Sequence, residues 1–172
     1  NQNLHSKSGY ELVILSHPDF LSEANRLADI HEEHDGVTVL VVTPEQIYNE
    51  YSSGTPDATA IRLFMRQIYE SNDKANTYLL LMGDGSFDNR ALLRTSSTTI
   101  NNYLLTYQGG STYDESATYT TDDYFGMVAP EAFQYGKVCN GQILVGVGRF
   151  PVSSLQEATV MVNKVEKYLN EN

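Results

Sequence analysis

Apolar residues along this chain gather in short unbroken runs, separated by stretches of helical period. Tyr10-Glu11-Leu12-Val13-Ile14-Leu15, Val37-Thr38-Val39-Leu40-Val41-Val42 and Tyr78-Leu79-Leu80-Leu81-Met82 are nearly uninterrupted. Such runs mark strands covered on both faces, as in a parallel sheet flanked by helices. Between the first two, Leu21, Ala24, Leu27, Ala28 and His31 recur at helical spacing and predict an amphipathic helix over 19–34, stopped by Gly36. Thr43-Pro44-Glu45-Gln46 predicts the next helix start, with Thr as N-cap, Pro at the first position and Gln closing the box. Thr55-Pro56-Asp57 repeats the signature, and Ile61, Phe64, Met65 and Ile68 form the buried stripe of a helix reaching about residue 71. The first half therefore reads βαβαβ with right-handed crossovers, a Rossmann-like half.

The second half is less regular. Residues 90–101 are polar without a period, 102–108 read as a short extended piece, and Gly109 to Ser116 as a surface loop. Tyr119 to Val128 mixes aromatic and apolar residues around the pair Asp122-Asp123, and Gln134 to Gly141 is a turn-rich loop holding Cys139. Residues 143–151 read as another buried strand, with glycines for close packing. Ser154-Leu155-Gln156-Glu157 is a capping box, followed by a helix with Leu155, Ala158, Val162, Val165 and Leu169 on one stripe. Residues 1–9 are polar and read as a linker remnant, leaving 10–172 as a single α/β domain. The fold class expected is α/β, with a three-layer, mostly parallel sheet carrying helices on both faces.

Composition narrows the partners. Acidic residues number 22 against 11 basic, a net charge of −11 with no basic cluster, which argues against nucleic acid and anionic membrane surfaces. No apolar run approaches the roughly 18 residues of a membrane span, so no membrane insertion is expected. The single cysteine excludes an internal disulfide. The chain reads as a piece cut from something larger, and its tyrosine-rich, Ser/Thr/Asn-rich composition has the flavour of an exported protein.

The chemistry centres on the turn that ends the third strand, Gly83-Asp84-Gly85-Ser86-Phe87-Asp88. It falls at the carboxyl edge of the expected sheet, where open α/β folds place their sites. Glycine there permits positive φ and close backbone approach, and aspartate offers a charge or a metal ligand. A tight turn whose aspartate caps backbone donors is the plainer reading. His31-Glu32-Glu33-His34 lacks the spacing of a zinc metalloprotease helix, in which the histidines stand four apart. Cys139 has no oxyanion-type turn beside it, Ser86 has no nucleophile-elbow setting, and no phosphate-cradling glycine loop occurs. These residues alone form no catalytic set.

Four stretches in order carry a resemblance: Tyr78 to Asn89, Asn102 to Gln108, Thr121-Asp122-Asp123-Tyr124-Phe125-Gly126, and Val147-Gly148-Arg149-Phe150-Pro151-Val152 before the helix at Glu157-Ala158. Together they resemble the gingipain family of cysteine peptidases, and within it the sortase-type members of type IX secretion, over roughly Tyr10 to Glu171. The resemblance implies a caspase-like catalytic unit of two α/β subdomains, of which this chain is similar to the first. The family's dyad, a His-Gly loop and a later cysteine, belongs to the second, so neither His17 nor Cys139 takes a catalytic role. The partners implied are the following catalytic subdomain of the same chain and protein substrates of the parent, at the cell surface, outer membrane or periplasm.

The resemblance also implies a calcium site, with Asp84 and a loop that here reads Ala129-Pro130-Glu131, making Asp84 and Glu131 the candidate ligands. Arg149 is expected to pair with Asp122 or Asp123, fixing the seam toward the second subdomain. The function expected is a non-catalytic first subdomain of an exported cysteine endopeptidase or sortase that processes C-terminal signals of secreted cargo. Two other readings stand beside it: a binding module with a metal-dependent adhesion loop at Asp84 to Asp88, and a degenerate, purely structural relative of the peptidases.

Overall fold

The apolar runs do pair as parallel strands. In the computed structural model, which describes residues 2–73, 76–92, 102–109, 119–129 and 141–171, β1 (Leu12–Ser16), β2 (Val39–Val42), β3 (Tyr78–Met82) and β6 (Gly146–Phe150) form one sheet in the order β2-β1-β3-β6. All three pairings are parallel, with Ile14 beside Leu80 and Leu80 beside Gly148 across the middle. A separate antiparallel ribbon joins β4 (Tyr107–Gly109) to β5 (Tyr119–Thr121).

The strand order dictates where the helices lie. From β1 the chain steps one way to β2, then returns past β1 to β3. Right-handed crossovers in opposite directions must use opposite faces. Accordingly α1 (Leu21–Asp35) covers one face with α5 (Leu155–Glu171), through Phe20, Ala24, Leu27, Ala158 and Val162 against Ile14 and Met82. On the other face α2 (Pro44–Tyr51) and α3 (Ala58–Ser71) pack Ile47, Ile61, Phe64, Met65 and Ile68 against Val13, Leu15, Leu79 and Leu81. The short α4 (Asp123–Gly126) adds Tyr124 and Phe125 to that second core. The result is the expected three-layer α/β arrangement.

Local signals set most helix ends. Thr43 caps α2 in a reciprocal box, its hydroxyl accepting from the Gln46 N–H (3.4 Å) while the Gln46 side chain accepts from the Thr43 N–H (2.9 Å). Gly36 ends α1 in the left-handed region at φ 67°. The repeat of that signature at Thr55 does not start α3. Thr55 instead closes the turn after α2, its N–H on the Ser52 carbonyl, and Asp57 caps α3 through Thr59 N–H at 2.7 Å. At α5 the Ser154 hydroxyl accepts from the Glu157 N–H, but the Glu157 carboxylate reaches back to Ser153 rather than to Ser154.

Three other expectations change. The extended piece at 102–108 is strand only from Tyr107, because residues 102–106 turn inward against β3. The run at 143–151 is strand only from Gly146, and it is half exposed rather than buried, since it forms one edge of the sheet among the described residues. The polar leader is not a free linker. Leu4 is 4% exposed within the α2–α3 core. The Glu50 carboxylate accepts from the N–H groups of Leu4 (2.7 Å) and His5 (3.2 Å), and the Gln67 amide donates to the carbonyls of Leu4, His5 and Lys7. A lone leucine among polar residues has no period by which to be noticed.

Burial alone would raise the Glu50 carboxyl, but the Leu4 N–H, the Gln2 side chain and the N–H and charge of His5 together outweigh it and hold the group below its ordinary value. A lowered carboxyl pKa adds stability that is present above the unfolded-state value and lost as pH falls through the folded-state one. Glu50→Gln is therefore expected to destabilise at neutral pH by about 1.5–3 kcal/mol. The gap to wild type should close in urea melts as pH falls through and below the ordinary glutamate range; a gap that persists at the acid end would contradict the clamp.

Candidate functional site

The turn after β3 is laced to its surroundings mainly through backbone. Gly83 donates to the Phe150 carbonyl (3.0 Å) and Asp84 to that of Val152 (2.9 Å). The Asp84 carbonyl accepts from both Tyr103 and Leu104 N–H groups, each at 3.0 Å. Gly83 sits at φ 149°, and a Cβ there would lie 3.0 Å from Tyr103 Cβ and 3.1 Å from Leu104 Cγ. Glycine is required by both counts.

This is also where the strand order reverses, between the carboxyl ends of β1 and β3, and open α/β sheets usually hold their ligand in the crevice at that point. Here the chain fills it. Leu104 is 2% exposed. Tyr103 stands edge-on to His17 at 5.0 Å and donates to the Ser153 carbonyl at 2.8 Å. His17, which follows β1, accepts from the Asp19 N–H at 3.3 Å and serves as a cap, not as a base facing a cavity.

Arg149 fastens the arrangement. Its Nε donates to Asp122 Oδ2 and its Nη2 to Oδ1, both at 2.7 Å, while Nη1 reaches the Gly83 carbonyl (2.8 Å) and Nη2 also the Leu105 carbonyl (3.0 Å). Of the two aspartates that the sequence offered, the partner is Asp122. Asp123 enters the first turn of α4 with its N–H on the Thr121 hydroxyl. Gly85 completes the fit, since a Cβ there would lie 2.5 Å from the Leu104 carbonyl oxygen.

The remaining candidates fall elsewhere. Asp84 Oδ1 accepts from the next N–H, that of Gly85, at 2.9 Å, the capping turn of the plainer reading. Ser86 donates to the Asn102 side chain, whose amide in turn donates to the carbonyl of Asp88. Asp88, the second carboxylate of the loop, is 7% exposed. His31 and His34 do not converge on a metal position. Both turn Nδ1 to one Asp35 carboxylate, at 2.6 and 2.7 Å, and these bonds hold Asp35 below the usual carboxylate range.

Calcium takes six to eight oxygens. The described residues bring two carboxylates to this turn, Asp84 and the buried Asp88, and no group of three His, Cys, Asp or Glu side chains among them is placed to hold an ion. By themselves they do not fit a calcium site. Glu131 and Cys139 lie outside the described residues.

Sequence reasoning missed the plug at 102–106 and a second arginine clamp. Arg62, on α3, lies over the Tyr124 ring at 5.4 Å and donates to the Met127 and Ala129 carbonyls. An arginine inside the apolar stripe of α3, next to Ile61, was the available signal. Substitution tests the seam. Asp122→Asn is expected to cost about 2–3 kcal/mol and Arg149→Lys no less, because an ammonium cannot reproduce the fork. Gly85→Ala should also destabilise, by about 1–3 kcal/mol, though it alters no charge. Unfolding free energies from urea melts that change by less than about 0.5 kcal/mol would show the seam to be incidental.

Comparison with known proteins bears on the same region. The family model described as Peptidase family C25 matches residues 5–172. Dimeric latent PorU from Porphyromonas gingivalis is similar over 98% of this chain, at 39% identity and a TM-score of 0.84. The complex of Porphyromonas gingivalis RgpB pro- and mature domains shares the fold over 92% of the chain, at 17% identity and a TM-score of 0.56. The chain spans 16% of the PorU chain and 29% of the RgpB one. A search of curated proteins returned no match. The expected caspase-like α/β fold is thus the fold of its relatives, and the chain belongs to peptidase family C25, the gingipain family.

Proposed function

We propose that this chain is the non-catalytic first subdomain of an exported gingipain-like cysteine endopeptidase, of the sortase type that processes C-terminal signals of type IX secretion cargo. The observation that carries the reading is the plugged crevice. Where a doubly wound sheet usually binds its ligand, residues 102–106 are packed in and Arg149 holds them. Such a unit offers rigidity and surfaces instead of chemistry. The thiolate that attacks the substrate carbonyl, and the histidine that moves its proton, belong in this reading to the following catalytic subdomain of the parent chain. The parent's protein substrates meet that subdomain at the cell surface, outer membrane or periplasm. No helix among the described residues is long and apolar enough to cross a membrane.

A calcium clamp through Asp84 and Glu131 is the second part of the proposal, and it requires Glu131 and the other oxygens to come from outside the described residues. Calcium is then expected to raise the thermal midpoint of the wild-type parent but not of Asp84→Ala; a midpoint unshifted in both removes the ion from the account.

Assayed alone, the 172-residue chain should show no thiol-dependent peptide hydrolysis. The parent should show it and lose it when its active-site cysteine is replaced by alanine. Hydrolysis by the isolated chain, or a parent without thiol-dependent activity, would overturn the reading.

A further inference from the structure

One corner of the main sheet is left bare. Gly146 and Gly148 of β6 are exposed, and Tyr78 beside them on β3 is 51% exposed. With Leu80 and Phe150 the two glycines floor an apolar cleft of about 560 Å³, with Glu11 and His31 on its rim. Their reasons for being glycine differ. A Cβ on Gly146 would lie 2.7 Å from the Tyr78 ring, so this chain's own packing accounts for it. A Cβ on Gly148 would meet nothing within 4 Å, and its φ is not in the left-handed region. Glycine inside a strand gives up β propensity and costs chain entropy, and it marks places where another backbone or a ligand comes close. No described residue of this chain comes close there.

The edge beside the cleft is equally unprotected. Gly146 donates inward to the Thr77 carbonyl, so strand alternation turns the N–H and C=O of Val147 and Arg149 outward. Among the described residues no strand pairs with them. Exposed edges are ordinarily blunted by outward charges, prolines or bulges. In Gly146-Val147-Gly148-Arg149-Phe150 the one charge is turned in toward Asp122.

Resting on the reading of this chain as one subdomain of a longer peptidase, we propose that an extended segment of the following subdomain pairs along the outer edge of β6 and seats an apolar side chain in the cleft over Gly148. The region matched here is 16% of the PorU chain, which leaves ample polypeptide to supply that segment. The last turn of α5 lies against α1, its Leu169 carbonyl 3.1 Å from His34 Nε2, so the chain is delivered to the cleft's end of the sheet. A second copy is a poorer occupant, since each would bring a net charge of −11.

Hydroxyl-radical footprinting of the full-length parent, read at Tyr78, tests the proposal. Tyr78 is expected to label about tenfold or more slowly than free tyrosine, at any protein concentration. Gly148→Val fills the cleft floor and should restore fast labelling while leaving the thermal midpoint within a few degrees; Gly148→Ala, the milder variant, should do so in part. Fast labelling of the wild type overturns the proposal. So does protection that dilution abolishes, which would assign the cleft to a second copy, or protection that neither substitution changes. An active peptidase with Tyr78 unprotected sinks only this docking, whereas a parent without thiol-dependent activity sinks the functional reading beneath it.

Discussion

The guanidinium of Arg149 joins three pieces of chain that sequence keeps far apart. It spans the Gly83 carbonyl, the Leu105 carbonyl and the Asp122 carboxylate with four donor contacts. Its side chain is 12% exposed and that of Asp122 is 26% exposed. A charge so far withdrawn from water is tolerable only when its fork is met on several sides. That requirement fixes the turn after β3, the segment 102–106 and the start of α4 relative to one another. Gly83 and Gly85 follow from it, because the backbones so drawn together leave no room for a Cβ.

The same constraint decides what the fold can do. A doubly wound sheet opens a crevice where its strand order reverses, and most such proteins use it. Here Tyr103 and Leu104 occupy it, held by the Asp84 carbonyl. The acidic glycine turn that draws the eye in the sequence is therefore part of a lock. In the proposed reading, function moves outward, to the edge of β6 and to the subdomain that would follow. A family of peptidases in which this region is a small share of the chain fits a body of that kind.

Much of this was legible in the residues. β1, β2 and β3 were plain because burial on both faces demands apolar runs without alternation. The Arg149 partnership was legible too, since a charge ending an apolar run must find a carboxylate. The choice between Asp122 and Asp123 was not, because it turns on one residue of register into α4. Leu4 escaped notice for want of a period, and the plug at 102–106 because its partner is a backbone carbonyl rather than a side chain. The exposure of β6 was hidden for a different reason. Val147 and its glycines look like core, but burial depends on neighbours, and on the outer side of β6 no described strand supplies one. Of the two candidate calcium ligands, Asp84 caps its own turn and Glu131 lies outside the described residues.

The central claim is that the crevice at the carboxyl ends of β1 and β3 is permanently closed by this chain. Native-state hydrogen exchange at the Tyr103 and Leu104 amides, both donated to the Asp84 carbonyl, measures that directly. The account predicts protection equal to that of the β3 core, lost only on global unfolding. Exchange at the rate of an open loop, with β3 still protected, would mean that the crevice opens in the native state and that the lock is not one.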